Sequence, residues 1–392
     1  MNLLYVLGLV EFVRGALIFS LLPLYGVLVA KYSLDLISSA IALHYLLDNI
    51  CRLPVGWITD RIGGKWLMSA GVFLSSIGVY LLYTHWSVTF FMLGAVIFGI
   101  GVSPVWPVVI SGIAAKVPLN KLGEALSKVF MAWLIGAGLG PVLINFVINW
   151  SYPMAFWILI VVLGGAFLLI LFTKVPKISL KKQSSSMEFF KELLKEIASI
   201  KLLYPGMFVQ TMSIGILIPI LALYARSVFG FNSVQLNYLL IGCGAFTIIL
   251  LIPAGKIVDR IGIKGPLVGG FSLAAISLVL LPLQSNFALV LIVGVFLGIS
   301  YSFILPSWNG LMARAVSPEK RGTMWAVFMT IEGLGTSLGV YVGGKMWESF
   351  GHQSPFFASA FVLGTMSIFY MFSNLNKLMV EGSRGNQNEL GI

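Results

Sequence analysis

Long apolar runs recur along almost the whole chain, and short polar or charged stretches separate them. A helix needs about 20 apolar residues to cross the hydrocarbon core of a bilayer, and most of the runs reach that length. Lipid offers no hydrogen-bond partner to a peptide group, so such spans form helices. The pattern predicts an all-α membrane protein with twelve transmembrane helices, over residues 4–30, 36–58, 66–83, 87–115, 125–149, 152–173, 202–228, 234–257, 265–283, 286–315, 321–347 and 354–376.

Composition supports this prediction. Hydrophobic residues make up 58% of the 392 positions and charged residues 10%, whereas soluble domains are about 45–50% apolar. The first run carries Glu11 and Arg14 and has no charged leader, so we expect a first helix rather than a signal peptide. Cys51 and Cys243 fall inside predicted spans without metal-ligand spacing, which argues against a disulfide framework and a metal site.

The formal net charge of +11 follows from topology rather than from binding to nucleic acid. With a cytoplasmic N-terminus, twenty of the 25 Lys and Arg residues face the cytoplasm. Lys31, Arg226 and Lys345 then face outward, and Arg14 and Arg52 lie within the membrane. This bias is the positive-inside rule. It predicts a multi-pass protein of the plasma membrane with both termini in the cytoplasm.

A twelve-residue segment occurs twice in the chain. PVGWITDRIGGK at 54–65 and PAGKIVDRIGIK at 253–264 share eight identities, where average residue usage would give about one. The same offset of 199 residues, without gaps, pairs Pro107 with Pro306 and several glycines with one another. A duplicated six-helix unit explains these matches.

The duplication predicts two pseudo-symmetric halves, with a substrate site near the membrane midplane between them. A basic linker joins the halves, and its segment MEFFKELLKEIASIK predicts an amphipathic helix in the membrane interface. A plain linker helix without a partner is the alternative. The predicted domains are a first half at 1–173, the linker at 174–201, a second half at 202–376 and a cytoplasmic tail at 377–392.

The repeated pattern GxxxDRxGxK resembles the signature of the major facilitator superfamily of secondary transporters. This resemblance implies the major facilitator fold and transport by alternating access. We expect the motif to form a cytoplasmic gate, since glycine permits tight helix ends and charged side chains can bond to helix termini. The alternative is an interfacial topology anchor. The gate residues are Gly56, Asp60, Arg61, Gly63 and Lys65 in the first copy, and Gly255, Asp259, Arg260, Gly262 and Lys264 in the second.

Several charged residues lie inside the predicted spans of the first half. Glu11 and Arg14 are three positions apart, and His44, Asp48 and Arg52 follow a four-residue step along one helix face. A charge at the bilayer centre costs at least about 2.5 kcal/mol, so each needs a partner or water. We predict that these five residues couple protons, with Asp48 as the first candidate and Glu11 as the second. The alternative is that the acids and arginines only neutralise each other.

Aromatic and amide side chains predict a substrate-binding surface. Trp106, Trp133, Trp308 and Trp325 lie inside spans, and Gln210 and Asn309 can bond to hydroxyl groups. Packing against lipid is the alternative for any single tryptophan. Glu332 is the buried acid of the second half, and it can bind a cationic group, take a proton or serve as a protonated structural residue.

Paired glycines predict close contact between helices or flexibility. Gly136, Gly138 and Gly140 with Pro141 resemble the front of the antiporter motif of the superfamily, but its closing glycines are absent. The offset of 199 residues places Gly335 and Gly339 opposite two of them. Packing through small residues explains these glycines without a transport role.

Five short segments carry a narrower resemblance, to the proton-coupled flippases of the lipoteichoic-acid anchor in Gram-positive bacteria. The resemblance implies a bacterial antiporter that moves a glycolipid from the inner to the outer leaflet, with Trp106 and Trp133 in contact with it. Glu332 departs from this likeness, in which a neutral amide stands there. A proton-coupled exporter of drugs or other small molecules is the alternative. The segments are EFVRG (11–15), HYLLDN (44–49), GVSPVW (101–106), LPSWNGLMAR (305–314) and WAVF followed by EGLG (325–335).

The motifs of other functional classes are missing from the sequence. It has no HExxH, no GxSxG at a strand-to-helix turn, no phosphate-binding GxxxxGKS and no Cys or His cluster. We therefore expect neither an enzyme nor an ATP-driven pump, and no cofactor, with the proton gradient as the energy source. The expected partners are membrane lipid, protons and a small amphiphilic or glycolipid substrate. A channel or receptor remains an alternative, although the duplicated gate favours a carrier.

Overall fold

Twelve helices are present in the part of the chain that the structure describes. The computed structural model describes residues 2–117, 122–175, 203–315 and 321–375, without the side chains of 53, 56, 57, 60–62, 122–124, 313–315 and 321–326. No strand occurs among these residues. The helices are α1 Asn2–Leu28, α2 Leu34–Ile62, α3 Gly64–Thr84, α4 Val88–Ala114, α5 Leu122–Ile148, α6 Tyr152–Leu171, α7 Tyr204–Ser227, α8 Ser233–Ile261, α9 Lys264–Leu283, α10 Phe287–Ala315, α11 Arg321–Phe350 and α12 Ser354–Phe372.

These helices confirm the predicted all-α membrane architecture. Eleven of them are long and apolar enough to cross a membrane within the described residues, and α11 is the twelfth. Serine hydroxyls cap the N-terminal ends of three of these helices. They bind backbone N–H groups of the first turn, which lack partners within the helix. The hydroxyls of Ser33, Ser87 and Ser151 accept hydrogen bonds from the third residue beyond each at 3.3 Å. The cytoplasmic position of the termini stays a prediction.

The helices α2 and α8 run four residues past the predicted ends of their spans, at 58 and 257. The charged residues there end the apolar pattern, but they do not end the helix. The DRI tripeptide of each motif copy therefore forms the last helical turn. Gly63 and Gly262 follow with φ of +85° and +91°, a region that favours glycine over residues with a side chain.

The first helix of each half is interrupted at the same place. In α1 a π-helical turn spans Leu17–Leu21, and in α7 the α-helix breaks at 218–220. The offset of 199 residues aligns these two positions. Pro23 and Pro219 lack the N–H that would continue the ladder of hydrogen bonds, which accounts for the local change of winding.

Glycines let two pairs of helices approach closely. A Cβ atom on Gly140 of α5 would lie 2.6 Å from the Ala16 nitrogen of α1, and one on Gly339 of α11 would lie 2.9 Å from the Met212 Cα of α7. Such distances are shorter than van der Waals contact, so only glycine fits. The paired glycines predicted from the repeat thus lie where helix backbones meet, whereas Gly138 faces open space.

The chain divides into two compact units. The first unit contains α1 to α6 together with Ile218–Val234 and Val340–Ser349, which are the end of α7 with the following loop and a late part of α11. The second unit contains the remaining parts of α7 to α12. The predicted domain limits stay a prediction, and most of the linker at 174–201 and the tail at 377–392 lie outside the described residues.

Candidate functional site

Four charged side chains of the first unit meet between α1 and α2, and we call Glu11, Arg14, Asp48 and Arg52 the buried ion cluster. Arg14 Nη1 donates a hydrogen bond to Asp48 Oδ2 at 3.0 Å, which links the two helices. Arg52 donates to both oxygens of Asp48, from Nε at 3.1 Å and from Nη2 at 2.6 Å. Arg14 Nε also lies 3.1 Å from Glu11 Oε2. One arginine therefore contacts both acids.

The buried ion cluster is nearly inaccessible to solvent. The side chains of Glu11 and Asp48 are 2% and 1% exposed, and those of Arg14 and Arg52 are 13% and 15% exposed. Two carboxylates and two guanidinium groups carry no net charge together. This balance matters because an unpaired charge in an apolar interior costs several kcal/mol. Adding a proton to either acid would leave one positive charge without its counterpart.

The two carboxylate oxygens of Glu11 differ in their hydrogen bonds. Trp106 Nε1 donates a hydrogen bond to Oε1 at 2.7 Å. Among the described residues, Oε2 accepts no hydrogen bond of suitable geometry, although Arg14 is near. A buried carboxylate oxygen with unused acceptor capacity is a place where a proton can attach.

Trp106 joins the acid to an aromatic surface. It follows the turn at Ser103 and Pro104 that divides α4, and only 5% of it is exposed. Its ring centroid lies 5.8 Å from that of Phe130 and 6.3 Å from that of Trp133 on α5. Trp106 and Trp133, which were predicted to bind substrate, are therefore neighbours.

His44 lies beside the buried ion cluster without a hydrogen bond to it. Its ring stacks on Phe98 with centroids 4.7 Å apart, and only 2% of the residue is exposed. Neither ring nitrogen has a hydrogen-bond partner in the described structure. The backbone there is tight, since a Cβ atom on Gly99 would lie 2.5 Å from the His44 carbonyl oxygen. A proton relay through His44 would need water or substrate between it and Asp48.

Sequence reasoning missed two features of this region. The Arg14 guanidinium carbon lies 5.8 Å from the centroid of the Tyr45 ring, a cation–π distance. The Ser20 hydroxyl on α1 donates a hydrogen bond to the Asn145 side chain on α5. Both contacts join residues on different helices, so no local pattern indicates them.

The second unit contains a separate acid. Trp308 Nε1 of α10 donates a hydrogen bond to Glu332 Oε1 of α11 at 3.2 Å. The Trp308 ring is 1% exposed and packs edge-on against Tyr370 of α12, with centroids 6.0 Å apart. Trp308 and Tyr370 are buried, whereas Glu332, the acidic member of the group, is partly exposed.

The other predicted substrate contacts of the second unit have different surroundings. Gln210 on α7 is 6% exposed, and its Oε1 has no partner among the described residues. Asn309 is exposed. The side chain of Trp325 lies outside those that the structure describes.

The repeated motif is described only in part. Lys65 Nζ donates a hydrogen bond to the Leu171 carbonyl oxygen at 2.5 Å. Leu171 is the last residue of α6, and the negative end of the helix dipole there stabilises a cation. A Cβ atom on Gly255 would lie 3.8 Å from the Cβ atom of Pro306, which is an ordinary van der Waals contact. The gate itself stays a prediction. In the second copy, Asp259, Arg260 and Lys264 are exposed. In the first copy, the surroundings of Gly56, Asp60 and Arg61 are not among those that the structure describes.

A family model describes both halves of the chain. The model of the Major Facilitator Superfamily matches residues 5–208 and again residues 203–385. Two curated relatives are similar along almost their whole length. Each is named "Proton-coupled antiporter flippase LtaA". The protein of Staphylococcus saprophyticus subsp. saprophyticus is 28% identical over 377 residues, 94% of this chain and 92% of the relative. That of Staphylococcus aureus (strain MSSA476) is 27% identical over 379 residues, 94% and 93%.

Solved structures of transporters share the fold. A D-xylose-proton symporter aligns with a TM-score of 0.75 at 17% identity, over 94% of this chain and 96% of that one. The nucleoside transporter NupG aligns with a TM-score of 0.77 at 15% identity, over 95% and 99%. At such identities the likeness concerns the fold alone.

Proposed function

Because this chain belongs to the Major Facilitator Superfamily, we propose that it is a proton-coupled secondary transporter that works by alternating access. Its family and its apolar helices make it a transporter rather than an enzyme, and a multi-pass protein of a bacterial cell membrane. The proposal adds the energy source, which is the proton gradient, and the residues that use it.

The buried ion cluster is the observation that carries this proposal. Its two acids and two arginines balance only while both acids are ionised. When Glu11 or Asp48 takes a proton, the hydrogen bonds that Arg14 makes lose their ionic partner. Hydrogen bonds to charged groups contribute about 1.5–3 kcal/mol each, so this change is large enough to alter the contact of α1 with α2.

Asp48 is the first candidate for the coupling proton and Glu11 the second. Asp48 receives three hydrogen bonds from two arginines, so its protonation would disturb the contact between the helices directly. Glu11 has the oxygen without a hydrogen bond, so it accepts a proton with less rearrangement. Either event leaves the cluster with a net positive charge, which a new conformation must solvate or an anionic group must balance.

We further propose that the substrate is amphiphilic, such as a glycolipid moved from the inner to the outer leaflet in exchange for protons. The relatives named proton-coupled antiporter flippase support an amphiphilic substrate and exchange for protons. The ring pair of Trp106 and Trp133 beside the charged groups supports it as well, since it combines an apolar wall with polar atoms. Efflux of drugs or other small molecules is the second candidate.

Reconstituted protein tests the proposal. Proteoliposomes with an imposed pH gradient would carry a fluorescent short-chain diglycosyl-diacylglycerol, and a membrane-impermeant quencher would report the fraction in each leaflet. We expect the pH gradient to drive net movement in wild-type protein. Asp48→Asn should reduce this movement at least about tenfold, since both arginines lose the carboxylate that accepts their hydrogen bonds.

Asp35→Asn serves as the matched control, because Asp35 is an acid of the same helix that is 29% exposed and outside the buried ion cluster. It should keep most of the driven movement. Movement that ignores the pH gradient in wild-type protein would overturn the proposal. Movement of cationic dyes without glycolipid would favour the exporter.

A further inference from the structure

The two units each contain an acid that accepts an indole N–H, but the charges around the acids differ. In the first unit Trp106 donates to Glu11 at 2.7 Å, and in the second unit Trp308 donates to Glu332 at 3.2 Å. These pairs are not copies of each other, since the offset of 199 residues places Gln210 opposite Glu11. Glu11 has Arg14 within 3.1 Å, whereas the indole of Trp308 is the one side-chain partner of the Glu332 carboxyl group among the described residues.

No cation balances Glu332 in the part of the chain that the structure describes. The indole of Trp308 is the side-chain donor to its carboxyl group, and no ion pair involves it there. Trp308, which donates to Glu332, packs against Tyr370 of α12 and lies close to Gly206 of α7, and neither residue is charged. The other charged residues of α11 that the structure describes are Lys345, which pairs with Asp35, and Glu348, which accepts from the Leu34 backbone nitrogen. The two further charged residues of α10 and α11 are Arg314 and Arg321, whose side chains are not described.

The backbone positions of these two arginines are separated along their helices from the residues of the Trp308–Glu332 contact. Arg314 follows Trp308 by six residues and Arg321 precedes Glu332 by eleven, which corresponds to about 9 Å and about 16 Å of helix rise. An ionised carboxylate with a single indole donor in an apolar interior is unstable, because one hydrogen bond does not replace its lost hydration. The surroundings of Glu332, which is partly exposed and has one indole donor, therefore favour the protonated form over the carboxylate.

We propose that Glu332 is a second proton-binding site of the transport cycle, separate from the buried ion cluster. This inference rests on the proposed function, since a proton that moves during transport requires a proton-coupled carrier. The step is a simple dissociation: the carboxyl O–H bond breaks, the carboxylate keeps the electron pair, and the proton passes to water when the surroundings of α11 become hydrated. The carboxylate then binds another proton from water on the opposite side of the membrane, so that one proton crosses in each cycle.

Trp308 stabilises the charged form that this release creates. Its indole N–H already points at Oε1, so the carboxylate gains a directed donor without reorientation. The Trp308 ring is held in place by Tyr370, and a Cβ atom on Gly206 of α7 would lie 2.7 Å from the ring atom Cη2. Glycine at position 206 thus leaves the space that the indole occupies.

Infrared spectroscopy of the purified protein tests protonation without any substrate. A protonated carboxyl group gives a carbonyl stretch distinct from that of a carboxylate, and pH-difference spectra of wild-type protein minus Glu332→Gln isolate the band of residue 332. We expect a band that is present at neutral pH and is lost on alkalinisation. Trp308→Phe keeps the carboxyl group but removes its donor, so the band should persist to higher pH.

Transport in proteoliposomes then shows whether this proton moves. With a pH difference of one unit, each coupled proton supports about a tenfold leaflet ratio of the fluorescent glycolipid. Glu332→Gln should therefore lower the steady-state ratio about tenfold while a pH-driven ratio remains. Asp48→Asn should keep the infrared band of Glu332, which shows that the two sites are separate.

Two results would overturn the inference. One is a band for residue 332 that does not change with pH, together with a wild-type leaflet ratio in Glu332→Gln, since that describes a permanently protonated structural residue. The other is the absence of the band at neutral pH. Failure of the proposed function is a different outcome, in which wild-type protein shows no pH-driven ratio at all. If Glu332→Gln does not yield folded protein, Glu332→Asp and Trp308→Phe carry the same test.

Discussion

At the scale of single residues, the two arginines of the buried ion cluster are not equivalent. Arg14 reaches Glu11 from Nε and Asp48 from Nη1, so it connects an acid of its own helix to an acid of the next. Arg52 uses Nε and Nη2 on Asp48 alone, one turn before it on α2. The guanidinium group can bridge two acids because its donors are fixed in a plane, whereas an ammonium group acts as a point charge.

We expect Arg14→Lys to impair transport far more than Arg52→Lys. Lysine at position 14 can pair with one of the two acids and loses the ionic contact with the other. A buried unpaired group costs about 1–3 kcal/mol, which corresponds to a loss of transport on the order of 10-fold or more. Lysine at position 52 can still reach Asp48 from one turn away, so a loss of only a few-fold is expected. Initial rates of pH-driven movement in proteoliposomes give the comparison.

Equal losses in the two variants would contradict this reading of Arg14. They would indicate that only the total charge of the cluster matters, and that the link between α1 and α2 does not.

At the scale of helices, glycine positions decide which helices pack backbone to backbone. Gly136 and Gly140 of α5 lie against α1, and Gly335 and Gly339 of α11 lie against α7. These helices carry the acids of the two sites, since Glu11 is on α1 and Glu332 is on α11. The close contact therefore positions both acids, and the resemblance of the glycines to an antiporter motif is not needed to explain them.

A methyl group should separate these helices. We expect Gly140→Ala and Gly339→Ala each to lower the stability of the purified protein by about 1–3 kcal/mol, the usual cost of overpacking. Gly138→Ala is the matched control, because its Cβ atom would meet nothing within 4 Å. It should be neutral or stabilising, since alanine favours a helix over glycine by about 0.5–1 kcal/mol. Thermal unfolding in detergent, followed by tryptophan fluorescence, measures the three effects, and a destabilised Gly138→Ala would contradict the assignment of faces.

At the scale of the whole molecule, the first unit contains contacts between positions more than 300 residues apart in the chain. The Glu348 carboxylate accepts a hydrogen bond from the Leu34 backbone nitrogen at 2.9 Å, which caps the N-terminal end of α2. Lys345 pairs with Asp35 at 2.7 Å. A late segment of α11 is thereby attached to the start of α2 inside one compact unit.

This attachment should be weak and reversible. Lys345 and Asp35 are 49% and 29% exposed, and exposed ion pairs contribute only about 0.2–1 kcal/mol. We expect Lys345→Asp or Asp35→Lys to lower the population of the attached state by about 1.4-fold to 5-fold, and the double swap to restore much of it. High salt should have a similar effect, since it screens exposed pairs.

Spin labels report this population. Labels are introduced by K31C and S349C in a background without Cys51 and Cys243. The distribution of distances between the two labels should broaden in the single variants and narrow again in the double swap. A double swap that is as broad as the single variants would show that the pair does not hold α11 to α2.

Much of the fold could be predicted from local and periodic features. Apolar length placed the helices to within a few residues, because burial in lipid imposes a minimum span. It failed where a helix continues into water, as at Asp259 and Arg260, since helix hydrogen bonds do not end with the apolar pattern. The repeat predicted the pairing of glycines, because duplication preserves contacts along with residues. The candidate residues of the buried ion cluster were predicted from the cost of charge in lipid.

By itself the sequence determined the class of protein, its helices, its duplication and its short list of buried charges, because hydropathy and spacing act along the chain. Only the tertiary structure decided which of these charges are balanced. Arg14 bridges two acids, His44 has no hydrogen-bond partner among the described residues, and Glu332 faces an indole instead of a cation. Whether a buried acid is paired or holds a proton depends on side chains brought near it from other helices, and that proximity exists only in the folded protein.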